Sequence, residues 1–326
     1  MEFTEHSLAE LRDLAEATAT VAAAAEVGIF HQLAREPGTW EEVAQALELD
    51  PRAVQILLPA LADFGVVEKD GSRFRLTERT RRELGDPESP QYQGRGLPLW
   101  LENLRGWTRL PEVLRRGTPI LQEDDASDEE ALARYMAGMA ATPEERIRRV
   151  VDACLARIQD GTRALDLGGG PGSYARELAR RGLETTLLDR PETVEFVASE
   201  YGPQETEGVH LHGADFLSDP LPDGPFHVVL VSNVIHLLGP EENRELLGRV
   251  GEVTAPGGVV GGADFIRGVS SRAPRFALVM LLRTPQGNTY GRGEVQEWLV
   301  EAGFRDVAME AVDDDRHLVT GVRAEP

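Results

Sequence analysis

The chain has 326 residues, a length that suits two domains. Of these residues, 41% are hydrophobic, which is enough to form a substantial core. Its 56 Asp and Glu residues against 34 Lys and Arg give a formal net charge of -22, and such a field repels nucleic-acid phosphates. No apolar run approaches the roughly 20 residues of a membrane span, and the N-terminus lacks a signal peptide's basic start. We therefore expect a cytoplasmic protein that binds neither nucleic acid nor membrane.

The N-terminal part of the chain predicts helices followed by a hairpin. Residues 8–34 carry apolar side chains at helical spacing, and short helices are predicted over 39–47 and 52–64. Residues 66–76 predict a hairpin with Asp-Gly at its turn. Helix, helix and hairpin predict a winged helix. Its second helix offers only Arg52 as a cation for DNA phosphates, so packing or dimerisation is favoured over DNA binding.

Residues 97–158 predict mostly helix, and the chain then alternates strand and helix patterns. The strand candidates are 164–167, 185–188, 209–212, 227–231 and 258–264. Such alternation predicts a parallel, doubly wound sheet. The last two candidates, 307–312 and 317–322, are separated by an acidic turn and predict an antiparallel pair at the sheet edge.

A glycine-rich loop follows the first of these strands. Residues 164–172 read Ala-Leu-Asp-Leu-Gly-Gly-Gly-Pro-Gly, and helical spacing resumes after them. Glycine lets a backbone turn sharply and brings its amides close to a ligand. Asp189 ends the next strand about 20 residues further on, where a carboxylate can accept both hydroxyls of a ribose. Together the loop and this carboxylate predict an adenosine-type ligand.

Other ligands of glycine loops are less well matched. A phosphate-binding P-loop needs Gly-Lys-Ser/Thr, yet the only lysine is Lys69, far upstream. A nicotinamide dinucleotide fingerprint needs a third glycine where Ser173 stands. Asp166, two residues before the first glycine, suits a cationic ligand because it would repel a pyrophosphate. S-Adenosylmethionine is therefore favoured over NAD, and a loop that merely closes a turn stays the structural alternative.

Two further strand ends carry side chains suited to this ligand. Asp215 and Phe216 follow the third strand, where a carboxylate can accept from an adenine amino group and an aromatic ring can cover its face. His236 follows the fourth strand. An imidazole there would act as general base, because a neutral phenol with a pKa of about 10 is a poor nucleophile. A turn or core role for these residues is the alternative.

With these residues in this order, the chain resembles the S-adenosylmethionine-dependent O-methyltransferases that include plant caffeate and flavonoid enzymes and bacterial small-molecule enzymes. Residues 107–114 resemble the family's linker and 165–172 its cofactor loop. The resemblance implies a homodimer. It also implies three parts: a helical winged-helix dimerisation domain at 1–96, a helical linker contributing to the acceptor pocket at 97–158, and the methyltransferase domain at 159–326. The expected fold class is α/β, a Rossmann-like doubly wound sheet with an antiparallel C-terminal edge pair.

The resemblance also implies a mechanism without a metal ion. His236 falls where the plant enzymes keep their catalytic histidine, and Asp264 would orient it. The hydroxyl of the acceptor would attack the sulfonium methyl, with S-adenosylhomocysteine as the product. The predicted cofactor-binding residues are Asp166, Gly168, Gly169, Gly170, Asp189, Arg190, Asp215, Phe216 and Ser232.

The acceptor is predicted more loosely, from flexible methionines and aromatic rings that suit a flat apolar molecule. The candidate residues are Trp107, Tyr135, Met136, Met139, Phe276, Met280 and Asn288. Taken together they favour an aromatic or polyketide-like acceptor, although core packing is the better explanation of each residue taken alone. Three other functions stay open: C-methylation, a relative that binds the cofactor without transferring its methyl, and a ligand-sensing winged-helix regulator.

Overall fold

The computed structural model describes residues 7–89, 91–120 and 129–325. These residues form two compact units, the first ending at Thr108 and the second beginning at Arg109. Within the described ranges, no helix is both long and apolar enough to cross a membrane.

The first unit consists of helices and a small sheet. Its helices are α1 (Leu8–Glu26), α2 (Ile29–Arg35), α3 (Trp40–Ala46), α4 (Pro51–Asp63), α5 (Glu78–Thr80) and α6 (Leu97–Thr108). Its strands are β1 (Gly38–Thr39), β2 (Val67–Asp70) and β3 (Arg73–Leu76), in the antiparallel order β1-β3-β2. The predicted winged helix is therefore confirmed.

Local sequence signals explain where the helices of this unit begin. Gly28 separates α1 from α2 because its φ of 83° is left-handed, a conformation that glycine adopts without a steric penalty. Thr39 and Glu42 form a capping box at α3, each side chain accepting the other's backbone N–H. Phe30 and Leu58 are fully buried between these helices and β3.

The second unit is an α/β domain. Its helices are α7 (Leu110–Arg116), α8 (Glu129–Ala140), α9 (Glu144–Leu155), α10 (Ser173–Arg180), α11 (Pro191–Glu200), α12 (Pro240–Val253), α13 (Ala273–Arg283) and α14 (Arg292–Glu301). Its strands are β4 (Arg163–Leu167), β5 (Glu184–Asp189), β6 (Val209–Gly213), β7 (Phe226–Leu230), β8 (Thr254–Asp264), β9 (Phe304–Ala311) and β10 (His317–Arg323).

The seven strands have the order β6-β5-β4-β7-β8-β10-β9, with β6 to β8 in parallel register. The chain runs outward from β4 to β6 and then returns to β7 on the other side of β4. The strand order therefore reverses between β4 and β7, and ligands of open α/β sheets bind at such a point. The doubly wound sheet and its antiparallel edge pair are confirmed.

The largest difference from the predicted strand boundaries lies at the start of β8. Strand β8 begins at Thr254 rather than at 258, although the intervening Pro256 and Gly257 are typical of a turn. Thr254 pairs with Phe226, and a register shift before Val228 absorbs the irregular segment. A bulge thus extends the strand through residues that would otherwise end it.

The single cysteine lies in the core of this unit. Cys154 is fully buried on α9 beside Val150 and Val151. Burial raises the pKa of its thiol to about 12, so the reactive thiolate is scarce at neutral pH. Gly261 of β8 leaves room for the sulfur, because a Cβ at that position would overlap it.

Candidate active site

A cavity of about 550 Å³ lies at the carboxyl edge of the parallel sheet. Asp166, Asp189, Asp215 and Ser232 line it, and they lie at or directly after the carboxyl ends of β4, β5, β6 and β7. The sequence placed these residues at separate strand ends. The parallel register brings them to one site.

The glycine loop forms one wall of the cavity. Gly168, Gly170 and Gly172 have φ values of 67°, 52° and 74°, which side chains with a Cβ rarely adopt. Gly169 has no positive φ, but a Cβ on it would lie 2.8 Å from Asp166 Oδ2. The loop therefore needs glycine for two reasons, its backbone conformation and the room it leaves for a buried carboxylate.

Asp189 is hydrogen-bonded to the glycine loop and can still accept hydrogen bonds from a ligand. Its Oδ2 accepts the Gly170 N–H and its Oδ1 the Arg190 N–H, both at 2.8 Å. Since a carboxylate oxygen accepts more than one hydrogen bond, each retains a lone pair for a ligand hydroxyl. Burial raises the pKa of Asp189, and the two backbone N–H groups oppose that shift. The two carboxylate oxygens can therefore accept hydrogen bonds from the two hydroxyls of a ribose.

Asp166 is the most deeply buried carboxylate of the cavity wall, with 1% of its surface exposed. Its Oδ2 accepts the Ala175 N–H at 2.9 Å. Burial raises the pKa of Asp166 to about 7, an effect reinforced by Asp189 and opposed by the Ala175 N–H and by Arg176. A cationic ligand group would favour the ionised form, so this site fits the ammonium of S-adenosylmethionine.

The titration of Asp166 predicts a pH-dependent stability. Because its pKa is higher in the folded chain than its ordinary 3.8, its contribution favours folding at low pH and is lost as the pH rises toward about 7. Asp166→Asn, which is neutral throughout, should therefore reduce the fall in thermal midpoint between about pH 5 and pH 8. Calorimetric scans of the ligand-free protein measure this, with the exposed Asp160→Asn as control. Equal falls in Asp166→Asn and wild type would refute the assignment.

Asp215 and Phe216 lie together at the third strand end. Asp215 is exposed, and its carboxylate accepts the Leu217 N–H and the Ser218 hydroxyl, each at 2.9 Å. It therefore shapes the turn and also lines the cavity. Phe216 lines the cavity too, and a Cβ on Gly168 would lie 3.5 Å from its ring.

His236 lies in a single helical turn, Ile235–Leu237, just after β7. Its Nδ1 is 2.7 Å from Asp264 Oδ1, at the end of neighbouring β8. An ionised carboxylate only accepts, so Nδ1 carries the proton and Nε2 keeps its lone pair. Nε2 makes no hydrogen bond to any other described residue. The next residue, Leu237, lines the cavity, whereas His236 itself is buried beside it with 7% of its side chain exposed.

Aromatic rings hold the imidazole. The Phe276 ring meets it edge-on at a centroid distance of 4.8 Å, and the Phe265 ring stacks on Phe276 at 3.9 Å. Met280 is buried in the same helix, α13. Asn288 is exposed, and its backbone N–H donates to the His236 carbonyl at 3.0 Å. Of the described residues, these three acceptor candidates, Phe276, Met280 and Asn288, lie outside the lining of the cavity.

Helix α8 supplies the other acceptor candidates of the second unit. Tyr135, Met136 and Met139 all line the cavity, next to Thr142. Trp107 belongs to α6 of the first unit. The predicted acceptor residues of the second unit therefore divide into a group on α8 that lines the cavity and a group on and after α13, of which Phe276 and Asn288 contact His236.

The comparisons with known proteins agree with this geometry. Residues 115–305 match the O-methyltransferase domain, and residues 10–85 match the O-methyltransferase dimerisation domain. The chain belongs to the O-methyltransferase family. The family and enzyme class predicted from the sequence are therefore confirmed.

Relatives within the family are similar over most of their length. The tetracenomycin polyketide synthesis 8-O-methyl transferase TcmO of Streptomyces glaucescens is 30% identical, with 91% of each chain covered. The 3-hydroxy-5-methyl-1-naphthoate 3-O-methyltransferase of Streptomyces sahachiroi is 28% identical, with 89% of this chain and 86% of that one covered.

Solved structures of the family share the fold. Human N-acetylserotonin methyltransferase in complex with SAM has a TM-score of 0.86 at 22% identity, covering 100% of this chain and 99% of that one. An O-methyltransferase family protein from Burkholderia thailandensis has a TM-score of 0.85 at 25% identity, with the same coverage. The prediction of S-adenosylmethionine as the family's methyl donor is confirmed.

Several residues of this O-methyltransferase cavity were missed by the sequence reasoning. Tyr174, Thr193 and Asn233 line it but carry no motif of their own. Asn233 had a usable signal, since it directly follows Ser232 after an apolar strand. Among the described residues, no group of three His, Cys, Asp or Glu side chains is placed to hold a metal ion.

Proposed function

We propose that this enzyme transfers the methyl group of S-adenosylmethionine to a hydroxyl oxygen of an aromatic or polyketide-like small molecule, with His236 as general base. The observation that carries the proposal is the 2.7 Å contact between His236 Nδ1 and Asp264 Oδ1 beside a cavity lined by Asp166 and Asp189. The contact leaves Nε2 as the nitrogen that can accept a proton.

The cavity residues fit S-adenosylmethionine in the order of the strands. Asp215 and Phe216 after β6 would hold adenine, Asp189 on β5 the ribose, and Asp166 on β4 the ammonium. Gly168, Gly169, Gly170, Arg190 and Ser232 complete the wall. When bound there, the cofactor supplies an electrophilic methyl group on a sulfonium. The protein's part is to hold this end of the molecule in line with the acceptor oxygen.

His236 would remove the acceptor's proton. Asp264 accepts the Nδ1 proton, which fixes the ring orientation and would stabilise the imidazolium formed when Nε2 takes up a proton. The contacts with Phe276 and Phe265 limit the rotation of the ring. General base catalysis of this kind typically contributes about 100- to 10,000-fold to the rate.

The acceptor class is proposed from the α8 face and from the relatives. Tyr135, Met136 and Met139 offer an aromatic ring and two flexible thioethers, which suit a flat apolar molecule. The names of the two Streptomyces relatives specify a polyketide and a naphthoate. A further relative, 26% identical over 310 residues, is named N,N-dimethyltransferase OxyT, so acceptors with an amino group belong in the same test.

Methyl transfer from labelled S-adenosylmethionine to a panel of hydroxynaphthoates, hydroxyanthraquinones and their amino analogues tests the proposal. We expect label in a product heavier by one methylene group for the hydroxylated acceptors. Selective labelling of the amino analogues would overturn O-methylation. Binding of S-adenosylmethionine with neither S-adenosylhomocysteine nor a methylated product from any acceptor would favour a relative that does not transfer the methyl.

We also propose that the chain forms a homodimer through its N-terminal domain. The match of residues 10–85 to the O-methyltransferase dimerisation domain supports this. Sedimentation equilibrium should give about twice the chain mass of 35.7 kDa. A single species at the chain mass, across micromolar concentrations, would contradict it.

A further inference from the structure

Arg316 is a largely buried cation that contacts Asn233 of the cavity wall without lining the cavity itself. It directly precedes β10 and follows the acidic turn of the edge hairpin. Its guanidinium carbon lies 3.4 Å from the centroid of the Phe265 ring, and its Nε donates to Asn233 Oδ1 at 3.2 Å. Phe265 belongs to the ring cluster around His236, and Asn233 lines the cavity. One side chain thus connects both parts of the site.

Asp313, in the turn before Arg316, links Arg316 to helix α9. The Arg316 N–H donates to Asp313 Oδ1 at 2.9 Å, and Asp313 Oδ2 is 2.6 Å from Arg146 Nε on α9. Burial lowers the pKa of Arg316 to about 10, while Asp264 opposes that shift. The guanidinium therefore keeps its charge at neutral pH in a place from which water is largely excluded.

Asn233 is held in an unusual conformation. Its φ of 57° is left-handed, and its N–H donates to the Ala263 carbonyl at 3.1 Å. A guanidinium can only donate, so the amide oxygen of Asn233 must face Arg316 and the amide nitrogen must face away from it. That nitrogen makes no hydrogen bond to any other described residue. Asn233 therefore presents two unused N–H donors at the cavity wall.

The position of these donors suggests which ligand group they meet. Asp189 and Asp166 lie at the carboxyl ends of β5 and β4, and Asn233 follows β7. These three strands are consecutive in the sheet and about 4.8 Å apart from strand to strand. If the adenosine end lies at β5 and β6, the amino-acid end extends toward β4 and β7. There the ligand's ammonium would contact the Asp166 carboxylate. The ligand's carboxylate would contact the Asn233 N–H donors, whose amide oxygen is hydrogen-bonded to the buried Arg316.

We propose that Arg316 is a positioning residue that orients the Asn233 amide to donate to the carboxylate at the amino-acid end of the cofactor. This inference rests on the proposed function, because it assumes that S-adenosylmethionine binds in this cavity. Asn233 is the binding residue, and Arg316 acts through it.

Two ligands separate this role from a general effect on the cavity. S-Adenosylhomocysteine carries the amino-acid end, whereas 5′-methylthioadenosine has the same adenosine end without it. Calorimetric titration of both ligands compares wild type with Asn233→Ala, Arg316→Met, Arg316→Lys and the double variant Asn233→Ala/Arg316→Met. Arg305→Met on neighbouring β9 is the matched control, since its side chain is 54% exposed.

We expect Asn233→Ala and Arg316→Met each to weaken S-adenosylhomocysteine binding by about 10- to 100-fold, as for the loss of a hydrogen bond to a charged group. Binding of 5′-methylthioadenosine should stay within about twofold of wild type in every variant. The double variant should bind S-adenosylhomocysteine little more weakly than Asn233→Ala alone, because Arg316 acts through Asn233. Arg316→Lys, which keeps a cation and a donor, should restore part of the lost affinity.

Three results would overturn the proposal: unchanged S-adenosylhomocysteine affinity in Asn233→Ala, parallel losses for both ligands, or independent effects that multiply in the double variant. If Arg316→Met does not fold, Asn233→Ala and Arg316→Lys decide the question. If wild type binds neither ligand, the proposed function itself is wrong. The wild-type titration alone shows this, so it is distinguished from a failure of the Arg316 proposal, which appears only in the variants.

Discussion

Replacing His236 by alanine is expected to lower the rate of methyl transfer by about 100- to 10,000-fold, the usual contribution of a positioned general base. The reason is that the acceptor hydroxyl would lose the Nε2 atom proposed to take its proton, while the carboxylates proposed to bind the cofactor stay in place. The affinity for S-adenosylhomocysteine should therefore be unchanged within about twofold. Single-turnover rates at saturating cofactor and acceptor measure the chemical step.

Two controls separate base catalysis from damage to the site. His236→Gln keeps most of the side-chain volume against Phe276 but cannot accept a proton at neutral pH, so it should be as slow as His236→Ala. His212→Ala removes an exposed histidine from β6 and should leave the rate unchanged. Full activity of either His236 variant would show that this residue is not the base.

Asp189→Ala is expected to weaken S-adenosylhomocysteine binding by about 100-fold or more, because several hydrogen bonds to a charged group are lost together. The variant removes the proposed acceptor of the ribose hydroxyls and also leaves the Gly170 and Arg190 N–H groups without their partner. In contrast to Arg316→Met, it should weaken 5′-methylthioadenosine binding equally, since both ligands carry the ribose.

Calorimetric titration measures this loss, with Asp160→Ala as a control that removes an exposed carboxylate before β4. The thermal midpoint of the ligand-free protein shows how much of the effect comes from the loop itself. Wild-type affinity of Asp189→Ala for both ligands would place the ribose elsewhere.

The convergence of the predicted strand-end residues on one cavity could be read from the sequence, for a physical reason. Carboxyl ends of parallel strands converge on one edge, so Asp166, Asp189, Asp215 and Ser232 had to lie near one another once the strands were identified. The glycine loop could also be recognised from the sequence, because the left-handed backbone at Gly168 and Gly170 favours glycine over other residues.

The acceptor side was less predictable because apolar side chains suit a core and a pocket equally well. Met139 lines the cavity, whereas Met280 is buried in α13, and nothing in their local sequences distinguishes them. The Arg316 contact with Asn233 joins a hairpin turn to a strand end far earlier in the chain. It depends on the register of β10 against β8, which a pattern of single residues does not encode.

The bond that the transferred methyl group forms shows whether this enzyme methylates oxygen. S-Adenosylmethionine labelled with ¹³C in its methyl group, incubated with the enzyme and an acceptor from the hydroxyaromatic panel, gives a product whose labelled carbon is assigned by NMR. We expect an aryl methyl ether, with the labelled carbon bonded to oxygen. A label bonded to carbon or nitrogen would contradict it.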